Sequence, residues 1–414
     1  MQKILLKNNQ REIKETIKLA ASKSESNRAL IINALSGGNG DLQNLASARD
    51  TQTMIRLLKS EDAVADVLDA GTTMRFLTAY FSVTNQTKTM TGTPRMCERP
   101  IGILVDALRT IGVEIEYVNK EGYPPLNIKG FGTQKSDEIS IRGDVSSQFI
   151  SAMLMIGPLL PNGLVINLTG EIGSIPYIQM TIRQMEAFGV EVTEDWDNKK
   201  LSVKPQTYKT TAYQIESDWS GASYWYSVVA LAQDPNTVID LLGLKENSLQ
   251  GDSAIVAIME QLGVKSTFNA TGVVLTKIPA ESHISWDFTN CPDLAQTVAV
   301  VVAALDIKSS FTGLESLKIK ETDRVLALQN ELKKIGSDLI EVEAKVRYEV
   351  QRVAPRDLSA VPIIDTYDDH RMAMAFAPLV MQQDVIIEEP GVVAKSYPSF
   401  WEDMSKIVEI ENLD

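Results

Sequence analysis

The sequence predicts an α/β fold made of one unit repeated along the chain, each copy holding two helices of different character and paired strands. The first observation behind this is a set of six short polar or glycine-rich clusters, each placed where an apolar helix begins: Ser26-Asn27-Arg28, Gly71-Thr72-Thr73, Ser146-Ser147-Gln148, Ser220-Gly221-Ala222, Pro292-Asp293 and Asp369-His370-Arg371. Their first residues are 45, 75, 74, 72 and 77 apart. The second is a glycine series, Gly112, Gly189, Gly263 and Gly336, with gaps of 77, 74 and 73. The third is a switch of hydrophobic period, from helical before each of these glycines to alternating after it.

Each element follows from that pattern. Leu108 and Ile111, Met185 and Phe188, Met259 and Leu262, and Leu332 and Ile335 stand four and one residues before the glycines. They form one face of a 3.6-period helix closed by a C-terminal glycine. Beyond the glycine, Val113, Ile115 and Tyr117 alternate with glutamates, and Val190 and Val192 with polar residues. Turns at Asn119-Lys120-Glu121-Gly122, at 195–199 and at Asn269-Ala270-Thr271-Gly272 lead into second alternating runs such as Leu126 with Ile128 and Leu201 with Val203. That reads as helix, strand, turn, strand. The second helix of each unit, as in 147–160 and 292–305, is apolar nearly all round and therefore buried.

Six units of about 70 residues account for the 414 residues, a length that favours two or three domains. The first interval is short because a helix over 51–58 is followed almost at once by 64–71, so one hairpin is expected to be missing. A boundary near Glu216 puts three buried helices on each side. The last copy lacks final strands of its own, which the N-terminal strands are placed to supply. The expected domains are thus 1–20 with 217–414, and 21–216.

Composition narrows the function. The chain carries 40 Lys and Arg against 54 Asp and Glu, a net charge of −14. That disfavours broad nucleic-acid binding and anionic membrane surfaces. Cys97 and Cys291 are the only cysteines, which excludes a disulfide framework and fits a reducing cytosol. The N-terminal residues lack a signal or transit pattern, and no apolar run is long enough to span a bilayer. The expectation is a cytoplasmic protein with small-molecule ligands, no nucleic-acid or membrane partner, and a monomeric state.

A helix N-terminus presents unpaired N–H groups and a positive dipole end, so repeated starts decorated with arginine suggest a ligand with several negative groups. Lys23 and Arg28 flank the first start, where a solvated cap is an equally good explanation. Gly71-Thr72 permits close approach of a ligand to the backbone. Arg95 and Arg99 surround Cys97, a thiol with basic neighbours that is more often inert than reactive. Ser146-Ser147-Gln148 offers more polar groups than capping needs. Lys320 and Arg324, read as i and i+4 on one helix face, repel each other unless an anion lies between them, and Glu321 beside them is a candidate proton carrier. With only His283 and His370, no Ser-His-Asp or metal-ligand cluster is evident, so carboxylates and lysines are the expected acids and bases.

Together the strings SKSESNRAL at 22–30, AGTTMRF at 70–76, PRMCERPIG at 94–102, SSQF at 146–149, PYI at 176–178, KETDR at 320–324 and DDHRMAM at 368–374 resemble the 5-enolpyruvylshikimate-3-phosphate synthase family of enolpyruvyl transferases. The resemblance implies two similar domains, each of three βαβαββ repeats around buried parallel helices, an inside-out α/β barrel, with the helix N-termini facing an interdomain cleft. It implies transfer of enolpyruvate from phosphoenolpyruvate to the 5-hydroxyl of shikimate 3-phosphate in the shikimate pathway to chorismate and the aromatic amino acids, with no metal or organic cofactor. Carried over by position, Lys23, Gly71, Arg99, Gln148, Arg324, Arg371 and Lys395 meet phosphoenolpyruvate. Lys23, Ser24, Arg28, Ser146, Ser147, Gln148, Ser174, Tyr177, Asp293 and Lys320 hold shikimate 3-phosphate. Asp293 is the implied base, with Glu321 and Lys23 as proton-transfer groups.

The chain departs from the family at Ser316, where asparagine is frequent, and at Phe76, where proline is common. Gly71 is kept, which implies a pocket open to glyphosate. Two rivals stand beside this reading. One is the related transferase acting on UDP-N-acetylglucosamine, which uses a loop cysteine near the place of Cys97. The other is a non-catalytic repeat protein that binds anions.

Overall fold

Helices that are apolar on every side have to be surrounded, and two groups of three such helices organise the chain. The computed structural model describes residues 2–7 and 12–413. The chain divides into two units, Ala21–Ile215 and, discontinuously, Met1–Ala20 with Glu216–Asp414.

In the first unit the helices Lys23–Leu35, Gly71–Val83 and Ser147–Ile156 pack against one another in all three pairings. Two four-stranded sheets cover them. Val64–Asp66 runs parallel to Lys88–Thr91, which pairs antiparallel with Leu126–Phe131 and so joins the hairpin to Val113–Tyr117. Glu138–Arg142, Leu164–Thr169, Lys200–Val203 and Val192–Asp195 repeat that order. The third strand set is only Leu42–Gln43 parallel to Tyr213–Gln214. There the helix Arg49–Lys59 runs through residues 60–63 straight into Val64–Asp66, where the other units insert a hairpin.

In the second unit the helices Trp219–Leu231, Ala295–Leu305 and His370–Phe376 also pack in all three pairings. Three sheets repeat the same scheme of one parallel pair plus an antiparallel pair, which is a hairpin in two of them. Lys14–Lys18 lies parallel to Val238–Leu242, His283–Asp287 to Lys308–Thr312, and Ile363–Ile364 to Val385–Glu388. A parallel pair cannot be joined by a tight turn: the second and third pairs each enclose one buried helix as crossover, and the first encloses the whole of Ala21–Ile215 as well as the helix Trp219–Leu231. The last sheet is completed by Lys3–Lys7 pairing with Val385–Glu388 on one side and Glu409–Leu413 on the other.

The glycine series behaves as its spacing suggests. Gly112, Gly189, Gly263 and Gly336 have φ of +109°, +79°, +98° and +77°, the left-handed region in which a Cβ is strained. A Cβ on Gly112 would also stand 2.5 Å from the Thr133 carbonyl oxygen.

Helix limits differ from the expectation at several points, among them the helix expected over 292–305, which becomes α-helical at Ala295 after a 3₁₀ turn at Pro292–Leu294. The first helix starts at Lys23 with Ser22 as its cap, so Ser26-Asn27-Arg28 lies in its second turn rather than at its start. The buried Ser26 hydroxyl accepts the Ala46 N–H at 3.0 Å and is structural. The third and sixth helices stop at Ile156 and Phe376 and tighten into 3₁₀ turns at Pro158 and Pro378, residues that lack the N–H a continuing α-helix needs. Among the described residues no helix is long and apolar enough to cross a membrane.

Candidate active site

Each unit places most of its sequence-predicted residues at or near helix ends, and the two sets differ in chemistry. In the first unit the Arg28 side chain is 2% exposed. Its Nε donates to the Thr181 hydroxyl at 2.7 Å, one Nη to the Ser24 carbonyl at 2.9 Å and the other to the Ser151 hydroxyl at 3.3 Å. The Phe76 and Tyr177 rings lie 5.3 and 5.9 Å from its guanidinium carbon. A buried guanidinium held by neutral oxygens and ring faces is expensive to keep charged. Burial accordingly pulls Arg28 down to about 10, with Tyr177 and Glu25 offsetting only part.

Beside it, Ser146 caps the Ser147–Ile156 helix through the Gln148 N–H, 3.3 Å away. The Gln148 amide then links two helices: its carbonyl oxygen accepts from Arg75 at 3.0 Å, and its NH₂ donates to the Thr72 hydroxyl at 3.0 Å. Gly71, the first residue of its helix, lies beneath two guanidiniums. A Cβ there would stand 2.7 Å from an Nη of Arg75 and 2.7 Å from an Nη of Arg99. Lys23 is 3.2 Å from the Asp50 carboxylate, a shielded pair with side chains 15% and 11% exposed. Ser174 opens the Ile175–Ala187 helix from the left-handed region at φ +56°, which puts Tyr177 in that helix's first turn. Ser147 is buried at the start of its helix.

The second unit solves the same problem with carboxylates. Arg324 is almost fully buried and reaches three of them: Asp369 at 2.7 Å, Glu321 at 2.7 Å and Asp293 at 2.9 Å. Burial would weaken its charge, but these three neighbours raise the guanidinium well above its ordinary value. The other Asp293 oxygen accepts from Arg371 at 2.8 Å. Burial alone would raise the Asp293 carboxyl; Arg371, Lys320 and Arg324 together hold it far below the usual carboxylate range. Burial lowers the Lys320 ammonium, opposed by Asp293. Lys395, nearly buried, donates to the Asp368 carbonyl at 2.6 Å and pairs with its carboxylate at 3.0 Å.

Lys320 and Arg324 do not share a helix face. The helix begins at Arg324 behind an Asp323 cap, and Lys320 is extended, with φ −85° and ψ −152°. The repulsion expected between them is answered inside the unit by Asp293, Glu321 and Asp369. Ser316 lies in the preceding 3₁₀ segment, Glu315–Ile319. Of the histidines, His283 is exposed and His370 buried; Cys97 is partly exposed with its thiol 3.7 Å from the Gly92 carbonyl oxygen.

Several contributors carry no role in the sequence reading: Asp50 against Lys23, Thr181 and Ser151 against Arg28, Arg75 against Gln148, and Asp369 against Arg324. Asp369 had a signal, its place beside Arg371 at a helix start. Thr181 and Ser151 had none, being small hydroxyls inside apolar helices more than 120 residues from Arg28.

An α/β protein with clustered arginines, lysines and carboxylates at the ends of buried helices is equipped to bind small polyanions and to move protons among them. Comparison with known proteins gives that class its family. The family model described as EPSP synthase (3-phosphoshikimate 1-carboxyvinyltransferase) matches residues 7–60 and 57–404. A 3-phosphoshikimate 1-carboxyvinyltransferase of Bacteroides fragilis is 50% identical over 398 residues, 95% of each chain. Another, of Herminiimonas arsenicoxydans, is 35% identical over 430 residues, covering 96% of this chain and 95% of that one. An EPSP synthase structure from Acinetobacter baumannii superposes with a TM-score of 0.79 at 20% identity over the whole of both chains, which shows a shared fold. The chain belongs to the EPSP synthase family.

Proposed function

We propose that this chain is an enolpyruvyl transferase that moves the enolpyruvyl group of phosphoenolpyruvate to the 5-hydroxyl of shikimate 3-phosphate and releases phosphate. The step serves chorismate and aromatic amino-acid biosynthesis. The observation that carries the reading is the Asp293 carboxylate held between Arg324 and Arg371, with Glu321 on the same arginine, in a chain of this family.

Lys23, Gly71, Arg99, Gln148, Arg324, Arg371 and Lys395 are assigned to phosphoenolpyruvate. Arg28, Ser24, Ser146, Ser147, Ser174, Tyr177 and Lys320, with Lys23, Gln148 and Asp293, are assigned to shikimate 3-phosphate. Arg28 supports this assignment because a ligand anion would supply the charge partner that its neutral neighbours do not. Protonation of the enol methylene by Glu321 or Lys23 makes the adjacent carbon cationic. The 5-hydroxyl adds there while Asp293 takes its proton, giving a tetrahedral intermediate. Loss of a methyl proton with departure of phosphate restores the enol, and the cations stabilise the leaving charge. Asp293 is a weak base while two arginines hold it. An anionic substrate that draws those guanidiniums away raises its basicity at the step that needs it.

The same reading takes each unit as three βαβαββ repeats forming an inside-out α/β barrel, with domains 1–20 plus 217–414 and 21–216. It takes the protein as a cytoplasmic monomer whose partners are its two substrates. Phosphate release measured with shikimate 3-phosphate and with UDP-N-acetylglucosamine as acceptors tests the function. Turnover with the first alone is expected; turnover only with the second, or none with either, overturns it.

A further inference from the structure

Just before the helix His370–Phe376 the backbone is strained. Tyr367 and Asp368 have φ of +54° and +53°, and the Asp369 N–H donates to the Thr366 carbonyl at 2.8 Å, which makes Thr366–Asp369 a turn with both central residues left-handed. Aspartate takes that conformation readily; a bulky aromatic does not, and it persists there only where its surroundings hold it. Glu331 supplies such a hold. It is fully buried in the helix Arg324–Lys333. One of its carboxylate oxygens accepts the Tyr367 hydroxyl at 2.8 Å, and the other accepts the Asp365 N–H at 3.0 Å and the Lys334 ammonium at 2.7 Å. The Asp365 carboxylate in turn accepts the Tyr367 N–H at 2.9 Å. Burial pushes the Tyr367 phenol up to about 12, with Asn330 opposing and Glu331 adding, so the hydroxyl remains a donor.

The turn carries partners of two cations assigned to phosphoenolpyruvate. Lys395 donates to the Asp368 carbonyl at 2.6 Å and pairs with its carboxylate at 3.0 Å, and Arg324 pairs with Asp369 at 2.7 Å. Arg324 and Glu331 are two helical turns apart in sequence, so they share one helix face at a separation of roughly 10 Å along the axis. That helix therefore grips the 365–369 segment at both ends, through Glu331 to Asp365 and Tyr367 and through Arg324 to Asp369. We propose that Glu331 and Tyr367 are positioning residues for phosphoenolpyruvate: they hold the left-handed turn from which Asp368 and Asp369 orient Lys395 and Arg324. The proposal rests on the assignment of those two cations to that substrate. A return of Tyr367 and Asp368 to negative φ would swing the Asp368 carbonyl away from Lys395 and displace Asp369 from Arg324. Both cations keep their other neighbours; the clamp fixes where one partner of each stands and needs no vacancy around either.

The test is steady-state kinetics on full-length variants, each substrate varied in turn, with melting temperatures measured alongside. Tyr367→Phe removes one hydroxyl and keeps the ring. It is expected to raise KM for phosphoenolpyruvate about fivefold, part of the worth of one hydrogen bond to a carboxylate, with KM for shikimate 3-phosphate unchanged. Glu331→Gln, whose amide oxygen can accept on one side only, should give a similar rise. Tyr367→Asn gives up hydroxyl and ring but takes the left-handed conformation unaided. It should melt earlier than wild type yet keep KM for phosphoenolpyruvate within about twofold of the wild-type value. A merely structural role predicts the reverse order, with Tyr367→Asn the more damaging change in both readouts. Equal rises in both KM values, no rise with Tyr367→Phe or with Glu331→Gln, or a rise with Tyr367→Asn as large as with Tyr367→Phe would each overturn the proposal. Lys395→Ala separates the two layers: if it leaves KM for phosphoenolpyruvate unchanged, the assignment of Lys395 fails and the proposal falls with it. A rise of about tenfold or more there, with Tyr367→Phe silent, sinks the positioning role alone.

Discussion

The two units bury arginines in opposite ways. Arg28 in the first is held by two hydroxyls, a carbonyl and two ring faces, whereas Arg324 in the second is held by three carboxylates. The first arrangement offsets the buried charge only in part, which on the proposed assignment suits an anionic ligand. The second neutralises its charge internally, which on the same assignment suits proton transfer by its carboxylates. A buried charge that is paired resists substitution by either partner; one that waits for a ligand weakens the empty protein and strengthens the complex. The difference teaches that one fold unit, used twice, can bury an arginine among neutral oxygens in one copy and among carboxylates in the other.

The sharpest way to break this contrast is Asp293→Ala. It removes the implied base and leaves Arg324 and Arg371 short of a carboxylate, so turnover in a phosphate-release assay should fall on the order of 10³-fold. Retained turnover would remove Asp293 from the proposed proton transfer. Glu321→Ala tests the acid in the same assay.

Next in size is a pH effect on stability. The Asp252 carboxyl is raised from 3.8 to about 7, so its contribution to stability is fully present below about pH 4 and lost as pH rises through 7. Asp252→Asn removes that penalty, an upper bound of about 4 kcal/mol. Its melting temperature relative to wild type should therefore be higher at pH 8 than at pH 5. A constant difference across that range would contradict the burial of an ionising group there.

Arg28→Gln should raise KM for shikimate 3-phosphate by about 10- to 100-fold, the value of a charge-assisted contact. It should also leave the ligand-free protein no less stable, because a buried charge held mainly by neutral groups is removed. A clear loss of thermal stability would show that Arg28 is a structural group like Arg324.

Gly71→Ala puts a methyl against the guanidiniums of Arg75 and Arg99. Both are far ends of flexible side chains, so the protein should fold normally while KM for phosphoenolpyruvate rises about tenfold and glyphosate inhibition weakens with it. Smallest is Phe76→Leu, which keeps apolar volume but removes a ring face from Arg28. A loss of ~0.5–1 kcal/mol, a few-fold in KM for shikimate 3-phosphate, is expected. Phe76→Tyr should show no such loss.

Much of this was legible in the chain. The period change at Gly112, Gly189, Gly263 and Gly336 is local chemistry, because a left-handed residue after a helix selects glycine whatever surrounds it. The missing hairpin after residue 59 was legible from spacing alone. So was the grouping of Arg324 with Glu321, four positions of one motif. Helix ends were less so: Lys320 reads as helical by spacing, but behind the Asp323 cap the helix starts four residues later, at Arg324.

What the sequence by itself determined is the repeat, the buried character of the six helices and the residue types at their starts. These follow from hydrophobic period, glycine geometry and capping, which act within a few residues. Only the tertiary structure decided the partners: Asp50 for Lys23, Thr181 and Ser151 for Arg28, Asp369 and Asp293 for Arg324, and Ser220 for Asp252. Those pairings join segments 27 to 153 residues apart. The physical reason is burial. Whether an arginine waits for a ligand or is neutralised at home depends on which oxygens the folded chain brings to it out of reach of water, and neighbours in sequence do not report that.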